Sequence, residues 1–120
     1  MKKVLIAEDN PLNMKLFKDI LEFHRFVVIC VEDAPQIIST IYAEQPDIIL
    51  MDIRFPEVSG VDVIKEIKTK PDIAKIPIIA LTAFAMKADK ERILASGCEA
   101  YLSKPISVNQ LVAEVQKYIQ

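Results

Sequence analysis

The sequence predicts a doubly wound α/β domain, with five parallel strands in the order 2-1-3-4-5 and five flanking helices. Five short apolar runs alternate with segments of helical periodicity, and this alternation is typical of parallel sheets with right-handed crossovers. Apolar residues occupy successive rather than alternate positions in most of the runs, which predicts strands that are buried on both faces. The predicted strands are residues 3–7, 26–31, 47–51, 76–81 and 100–102.

Capping residues and prolines predict where the helices begin. Asn10 is a favourable N-cap and Pro11 suits the first helical position, so we expect the first helix to start there. The fourth helix is predicted over residues 86–96, with Gly97 able to adopt the left-handed conformation that ends a helix. The remaining helices are expected to begin near Asp33 and Pro35, near Ser59 and after Ser107.

Apolar side chains three or four residues apart predict which face of each helix is buried. In the first helix this stripe consists of Leu12, Leu16, Ile20 and Phe23, with Phe17 and Leu21 alongside. In the later helices the predicted buried residues are Ile37, Ile38 and Ile41, then Val61, Val63, Ile64 and Ile67, then Ile93 and Leu94, and finally Leu111, Val112, Val115 and Ile119. We also expect Met14, Met51 and Met86 to be packing residues.

Composition excludes several classes of function. The 120 residues suffice for one domain, and five strand–helix units occupy all of residues 1–120, so no output domain is expected. The two glycines, Gly60 and Gly97, lie too far apart for a Gly-rich nucleotide loop. With 15 basic and 17 acidic residues and no basic stripe, the sequence argues against direct nucleic-acid binding.

The cysteines, the histidine and the N-terminus point to a cytoplasmic, thiol-reduced protein. Cys30 and Cys98 are expected on opposite edges of the sheet, too far apart for a disulfide, and both are interpreted as packing residues. Their spacing, together with the single histidine, His24, argues against a zinc site. His24 is expected at the surface, near the end of the first helix. No stretch is long enough for membrane insertion, and no signal-peptide cleavage site is present.

Polar residues follow four of the predicted strands at the point where each strand ends. They are Glu8 and Asp9, then Asp52, then Thr82, and finally Lys104. In open α/β sheets ligands bind beyond the carboxyl ends of the strands, so we expect these side chains to share one cleft.

The chemistry of this set favours phosphoryl transfer. Three carboxylates in one cleft repel one another and raise at least one pKa, unless a hard divalent cation such as Mg²⁺, or alternatively Mn²⁺, lies between them. Lys104 supplies a point charge for a phosphoryl group, and Thr82 supplies a hydroxyl donor. An aspartate such as Asp52 can act as a covalent phosphoryl acceptor.

Four motifs in this order, LIAEDN, DIILMDIRFPEVSG, IIALTA and YLSKP, resemble those of the receiver domains of two-component response regulators. The resemblance covers the whole chain and implies the flavodoxin- or CheY-like fold. It implies that Asp52 accepts a phosphoryl group from a phosphohistidine, and that the domain assists this transfer without being an enzyme. In the implied metal site Asp9, Asp52 and the backbone carbonyl of Arg54 bind Mg²⁺ directly, and Glu8 acts largely through metal-bound water.

The resemblance also implies a conformational switch. Thr82 and Lys104 would contact the phosphoryl oxygens, and the Lys104–Pro105 peptide would be cis. Thr82 would move toward the phosphoryl group and Tyr101 would turn inward, which would reshape the face formed by the fourth helix, fifth strand and fifth helix. The alternative for Tyr101 is a plain aromatic side chain on an edge strand.

The implied partners are a sensor histidine kinase or phosphotransfer protein and a downstream protein. Residues 13–17, 84–87 and 97–101 resemble the stand-alone receivers of alphaproteobacterial cell-cycle control. Such a receiver would work with membrane-anchored kinases of the DivJ and PleC type and with the kinase-like DivL. The region of the second helix has no motif that supports this narrower resemblance.

Two other functions fit parts of the sequence. A receiver that docks partners without phosphorylation would not need Asp9, Asp52, Thr82 and Lys104, and all four are present. An aspartate-dependent phosphatase of similar fold usually carries a second aspartate two positions after its nucleophile, where this chain has Arg54. Arg54 is either a rim residue without a fixed role or a cation that holds the phosphoryl group or blocks attacking water.

Overall fold

The strands are β1 (Lys3–Ala7), β2 (Val27–Val31), β3 (Ile48–Asp52), β4 (Ile78–Thr82) and β5 (Ala100–Ser103). They form one sheet in the order β2-β1-β3-β4-β5, and every neighbouring pair is parallel. The computed structural model describes residues 1–55, 58–83 and 87–119, except for the side chain of Lys87. The predicted fold class and strand order are confirmed.

The helices are α1 (Pro11–Phe23), α2 (Ile37–Glu44), α3 (Gly60–Lys68), α4 (Lys87–Ala95) and α5 (Val108–Tyr118). A 3₁₀ turn at Ala34–Gln36 leads into α2. The Asn10 side chain accepts hydrogen bonds from two backbone N–H groups of the first turn of α1, and Ser107 forms a capping box at α5. These local signals explain why the predicted helix starts are confirmed. The predicted start of the fourth helix at Met86 lies outside the described residues.

Both faces of the sheet are covered. One core cluster contains Leu5 and Ala7 of β1 and packs under α2, α3 and α4, and the other contains Val4 and Ile6 and packs under α1 and α5. Because side chains of a strand point alternately to the two faces, a strand between two helical layers is apolar at every position. The predicted burial on both faces is confirmed for β1, β3 and β4, whose residues are buried except for the half-buried Lys3.

The expectation of burial on both faces is wrong for β2. Only Val31 of this strand is buried, and Cys30, predicted as a packing residue, is exposed. The reason is position, because β2 lies at the edge of the sheet and has a strand neighbour on one side only. Cys98 is buried, as predicted.

The predicted buried stripe of α1 is also wrong in part. Leu12, Leu16 and Phe23 are 79%, 50% and 83% exposed. The face that packs on the sheet is formed by Met14, Phe17 and Leu21. The helix carries apolar side chains on two faces, and only one of them can contact the sheet. The other face remains in solvent.

A similar correction applies to α4. Ile93 is fully buried, but Leu94 is 49% exposed. Adjacent residues of an α-helix point about 100° apart, and in α4 the direction that faces the sheet is that of Ile93. The buried residues predicted for α3 and α5 are confirmed. Gly97 follows α4 with a φ of 103°, which explains its role as a helix terminator.

Among the described residues, none of the helices has the length and apolar character needed to cross a membrane.

Candidate functional site

The sheet brings the predicted polar residues to one edge. In the strand register Asp52 is paired with Leu81, and Thr82 is paired with Ser103. The carboxyl ends of β3, β4 and β5 therefore lie nearly level, and the residues that follow β1 lie beside them because Ala7 is paired with Met51. This is the edge at which open α/β sheets bind ligands.

Lys104 connects the two buried carboxylates of the site. Its Nζ atom lies 3.0 Å from Glu8 Oε1 and 3.0 Å from Asp52 Oδ2. The side chain of Glu8 is fully buried, and Asp52 is 3% exposed. The Lys104 backbone N–H donates to the Thr82 carbonyl oxygen at 2.7 Å, which fixes the start of the loop after β5. The Lys104–Pro105 peptide is cis, as predicted.

Burial and neighbouring charge shift the acid–base behaviour of this pair. Burial, and then the hydrogen bond and charge of Asp52, raise the pKa of Glu8 to about 7, although Lys104 opposes this rise. Burial alone lowers the pKa of Lys104, but the Asp52 and Glu8 carboxylates outweigh it, so the pKa of Lys104 is raised. Lys104 is therefore a cation at neutral pH, whereas Glu8 is close to its titration point.

The carboxylates fit a hard divalent cation. Glu8, Asp9 and Asp52 each offer a carboxylate oxygen, and these oxygens all lie within 4.8 Å of one another. Asp9 is exposed to solvent while the other two are buried, so a cation could enter from the solvent side and keep several waters. Lys104 contributes one positive charge against three carboxylates, which leaves an excess of negative charge for a metal to neutralise. The role of the Arg54 carbonyl stays a prediction.

A backbone N–H group orients the carboxylate of Asp52. The Arg54 backbone N–H donates to Asp52 Oδ1 at 2.9 Å, so each carboxylate oxygen of Asp52 has a polar partner. The loop then returns to the strand, since the Gly60 N–H donates to the Ile53 carbonyl at 2.8 Å. A Cβ atom on Gly60 would lie 2.5 Å from the Asp52 carbonyl oxygen, a distance that real structures do not tolerate.

Gly60 is thus a positioning residue for Asp52. The sequence did not predict this role, since Gly60 was considered only as a part of a nucleotide-binding loop. The available signal was its place in the first turn of a helix, directly after the N-cap Ser59. Glycine disfavours helix formation, so its presence there suggests a close approach of another chain segment.

The side chains surround an open cleft of about 510 Å³. Asp9, Asp52, Arg54 and Lys104 line it, together with Asn10, Asn13, Phe55 and Ala83. Asn13 was not predicted as a site residue. It lies in the first turn of α1, three residues after the N-cap, and a polar side chain there was the only available signal.

Thr82 and Tyr101 lie on the same face of neighbouring strands. Thr82 is fully buried, and Tyr101 is half-buried and packs against the core cluster under α2, α3 and α4. Tyr101 is paired with Ala80, two residues before Thr82 on β4. Because residues two apart on a strand point to the same face, the two predicted switch residues are diagonal neighbours.

Residues 4–116 match the family model of the response regulator receiver domain, and the chain belongs to this family. A phosphoacceptor aspartate beside a Mg²⁺ site is general to the family, which consists of signalling domains rather than enzymes. More narrowly, the chain is similar to the polar-differentiation response regulator DivK. It is 48% identical to DivK of Brucella anthropi and to DivK of Brucella abortus, over 98% of this chain and 96% of each relative.

Solved structures agree with this assignment. The receiver domain of the sensor histidine kinase PA1611 from Pseudomonas aeruginosa, which has a magnesium ion coordinated in its active-site cleft, superposes with a TM-score of 0.90. It is 34% identical, and the match covers 98% of this chain and 97% of that domain. Chemotaxis protein CheY4 of Vibrio cholerae gives a TM-score of 0.92 at 22% identity, with 99% of both chains covered, and supports the fold alone.

Proposed function

We propose that this chain is a phosphorylation-dependent switch in which Asp52 accepts a phosphoryl group from the phosphohistidine of a sensor kinase or phosphotransfer protein. The observation that carries this proposal is the setting of the Asp52 carboxylate. It lies in a polar cleft with the Lys104 ammonium on one oxygen and a backbone N–H on the other. A buried carboxylate held in this way is oriented for attack on phosphorus.

The transfer step is a displacement at phosphorus. One Asp52 carboxylate oxygen forms a bond to phosphorus while the phosphorus–nitrogen bond of the phosphohistidine breaks, and the histidine leaves as neutral imidazole after taking up a proton from water. Lys104 faces the additional negative charge, and Thr82 offers its hydroxyl to a phosphoryl oxygen. Asp9, Asp52 and the Arg54 carbonyl would hold Mg²⁺ directly and Glu8 would hold it largely through water, and the ion would supply further charge neutralisation.

The exposed apolar face of α1 suits the phosphodonor. Leu12 and Leu16 lie one helical turn apart and are exposed, and Asn13 of the same helix lines the cleft. A histidine carried on a partner helix could enter the cleft while that partner covers these leucines. Burial of apolar surface would then supply affinity, and the cleft would supply the chemistry.

The output follows from the adjacency of Thr82 and Tyr101. Movement of Thr82 toward the phosphoryl group vacates space on the face of the sheet that Tyr101 shares, and the ring turns into it. The surface formed by α4, β5 and α5 then changes shape and binds a downstream protein.

The similarity to DivK suggests the pathway. We propose cell-cycle or cell-fate signalling in the cytoplasm, with kinases of the DivJ and PleC type that recruit the domain to the membrane, and with a DivL-like downstream partner. The 48% identity to DivK over nearly the full length supports this assignment.

Incubation with acetyl phosphate and Mg²⁺ tests the central step. Intact-protein mass spectrometry should show a gain of one phosphoryl group, which Asp52→Asn abolishes. The control Asp62→Asn, on the exposed face of α3, should retain this gain. Transfer from a radiolabelled phosphorylated kinase should follow the same pattern. Absence of phosphorylation of the wild-type chain by both donors would overturn the proposal and favour a phosphorylation-independent docking receiver, and turnover of unrelated phosphate esters would favour a phosphatase.

A further inference from the structure

A lysine of α4 covers the ring of Tyr101. The Nζ atom of Lys90 lies 5.9 Å from the centroid of this ring. An ammonium group within about 6 Å of an aromatic centroid is attracted by the electron-rich face of the ring. Both residues are half-buried, so the contact is partly shielded from water.

The position of Lys90 on α4 explains why its side chain reaches the ring. Lys90 lies three residues before Ile93, which is fully buried against the sheet, and residues with this spacing lie on the same side of a helix. Tyr101 extends from β5 on the face that α4 covers. The aliphatic part of Lys90 can therefore lie along the surface while its ammonium group stays over the ring.

The contact matters for the placement of α4 because this helix has few other anchors. Among the described side chains of α4, Ile93 alone is buried, and the apolar Leu94 is half exposed. Contacts between α4 and β5, such as that of Lys90 with Tyr101, therefore contribute to the position of the helix.

We propose that Lys90 is a positioning residue that holds the Tyr101 ring in the conformation of the unphosphorylated domain, and thereby sets how readily the domain switches. This inference rests on the proposed phosphorylation of Asp52 and adds a residue that controls its consequence. The contact exists in the conformation described above, and we expect inward rotation of the ring to move it away from the ammonium group. A contact made in one of two states stabilises that state.

The energetic coupling is reciprocal. If Lys90 stabilises the unswitched conformation, phosphorylation must work against this contact, and loss of the contact must favour the state that binds a phosphoryl group. Variants that lack the cation should therefore bind a phosphoryl analogue more tightly, although Lys90 is on α4 and is not among the residues that line the cleft.

The contact itself is tested by the NMR shift of the Lys90 Hε protons, which lie beside the positively charged nitrogen. Protons above an aromatic ring are shifted upfield, so these signals should move to ordinary lysine positions in Tyr101→Leu. They should also move there when the wild-type domain binds beryllofluoride and Mg²⁺, an analogue of the phosphoryl group. Ordinary Lys90 shifts in the free wild-type domain would overturn the inference.

The regulatory role is tested by beryllofluoride titration in the presence of Mg²⁺. Lys90→Gln, which removes the charge but keeps much of the side chain, should lower the dissociation constant by about two- to fivefold, the range expected from one cation–π contact. Lys90→Arg should retain the wild-type value because arginine also stacks on aromatic rings. Lys65→Gln makes the same charge change on the exposed face of α3 and should leave binding unchanged.

Equal dissociation constants for Lys90→Gln and the wild type would overturn the regulatory role. An equal decrease of the dissociation constant in Lys90→Gln and Lys65→Gln would also overturn it, because the change in net charge would then be the cause. Failure of the wild-type domain itself to bind beryllofluoride would overturn the proposed function, and the regulatory role of Lys90 with it. If the wild-type domain does not bind beryllofluoride but the Lys90 Hε signals are still upfield, the contact of Lys90 with Tyr101 exists without a role in switching.

Discussion

The ammonium group of Lys104 lies at equal distances, 3.0 Å, from Asp52 and Glu8, so one side chain holds two carboxylates that would otherwise repel each other. The interaction bridges the carboxyl ends of β1, β3 and β5. It lies where an incoming phosphoryl group needs positive charge, and it stabilises the cleft before that group arrives.

Replacement of Lys104 by methionine should destabilise the metal-free domain. The change leaves the buried Glu8 and Asp52 without their cation, and we expect a loss of about 1–3 kcal/mol in the free energy of unfolding at pH 8. The loss should be smaller at pH 6, where Glu8 takes up a proton and removes the repulsion. Urea unfolding at the two pH values measures both effects, and an equal loss at both would contradict the role of charge.

The raised pKa of Glu8 predicts a stability that depends on pH. The pKa of Glu8 is about 7 in the folded chain and 4.5 in the unfolded chain. The folded state therefore binds more protons than the unfolded state between these two pH values. The contribution of Glu8 to stability therefore decreases as the pH rises from 4.5 to 7 when no metal is present. Urea unfolding in EDTA should show this decrease in the wild type, and Glu8→Gln should lack it.

Mg²⁺ should reverse this trend. A proton on Glu8 removes one negative charge from the metal site, so the affinity for Mg²⁺ should rise as the pH increases through about 7. Isothermal titration calorimetry at pH 6 and pH 8 measures the change. Removal of bound Mg²⁺ with EDTA should lower the unfolding temperature more at pH 8 than at pH 6.

Gly60→Ala should impair both stability and phosphorylation. The new methyl group would lie 2.5 Å from the Asp52 carbonyl oxygen, and backbone must move to relieve this overlap. We expect a loss of about 1–3 kcal/mol in the free energy of unfolding and slower phosphorylation by acetyl phosphate. Gly97→Ala is the matched control, because it strains a backbone φ of 103° away from the cleft and should reduce stability alone.

A substitution on the exposed face of α1 should affect phosphotransfer from a kinase without affecting the stability of the fold. Leu16→Ser should change the free energy of unfolding by less than about 0.5 kcal/mol, since the side chain is half exposed, yet it should slow transfer from a phosphorylated kinase severalfold. Phosphorylation by acetyl phosphate should be unaffected. Phe17→Ala, on the buried face of the same helix, should instead cost about 3–5 kcal/mol of stability.

Thr82 links phosphorylation to the Tyr101 ring. Thr82→Ala should still be phosphorylated at Asp52, but the ring signals of Tyr101 should no longer change on phosphorylation. Thr82→Ser keeps the hydroxyl and should preserve the response. NMR of domains with isotope-labelled tyrosine rings measures this, and an unchanged response in Thr82→Ala would refute the coupling.

The sequence alone predicted the strand order, most helix starts and most of the polar residues that meet in the cleft, although not Asn13. These features depend on local signals, such as the N-cap Asn10, or on rules of parallel sheets that place every strand end at one edge. The apolar runs of β1, β3 and β4 were interpreted correctly because these strands have a neighbour on both sides.

Tertiary structure decided which side chains are buried, because burial depends on the segment that packs against each residue. Periodicity shows that α1 is amphipathic, but its leucines and phenylalanines lie on two faces, and only packing on the sheet selects Phe17 over Leu16. The exposure of Cys30 follows from the edge position of β2, and that of Leu94 from the orientation of α4.

Composition and motifs therefore determined the class of protein and predicted its reacting residues, because these depend on residue type and order along the chain. Three features could be identified only in the folded structure. They are the contact of Lys104 with Glu8, which lies 96 residues earlier, the raised pKa of Glu8, and the contact of Lys90 with Tyr101. Electrostatic energies depend on distance and burial, and a linear sequence contains neither.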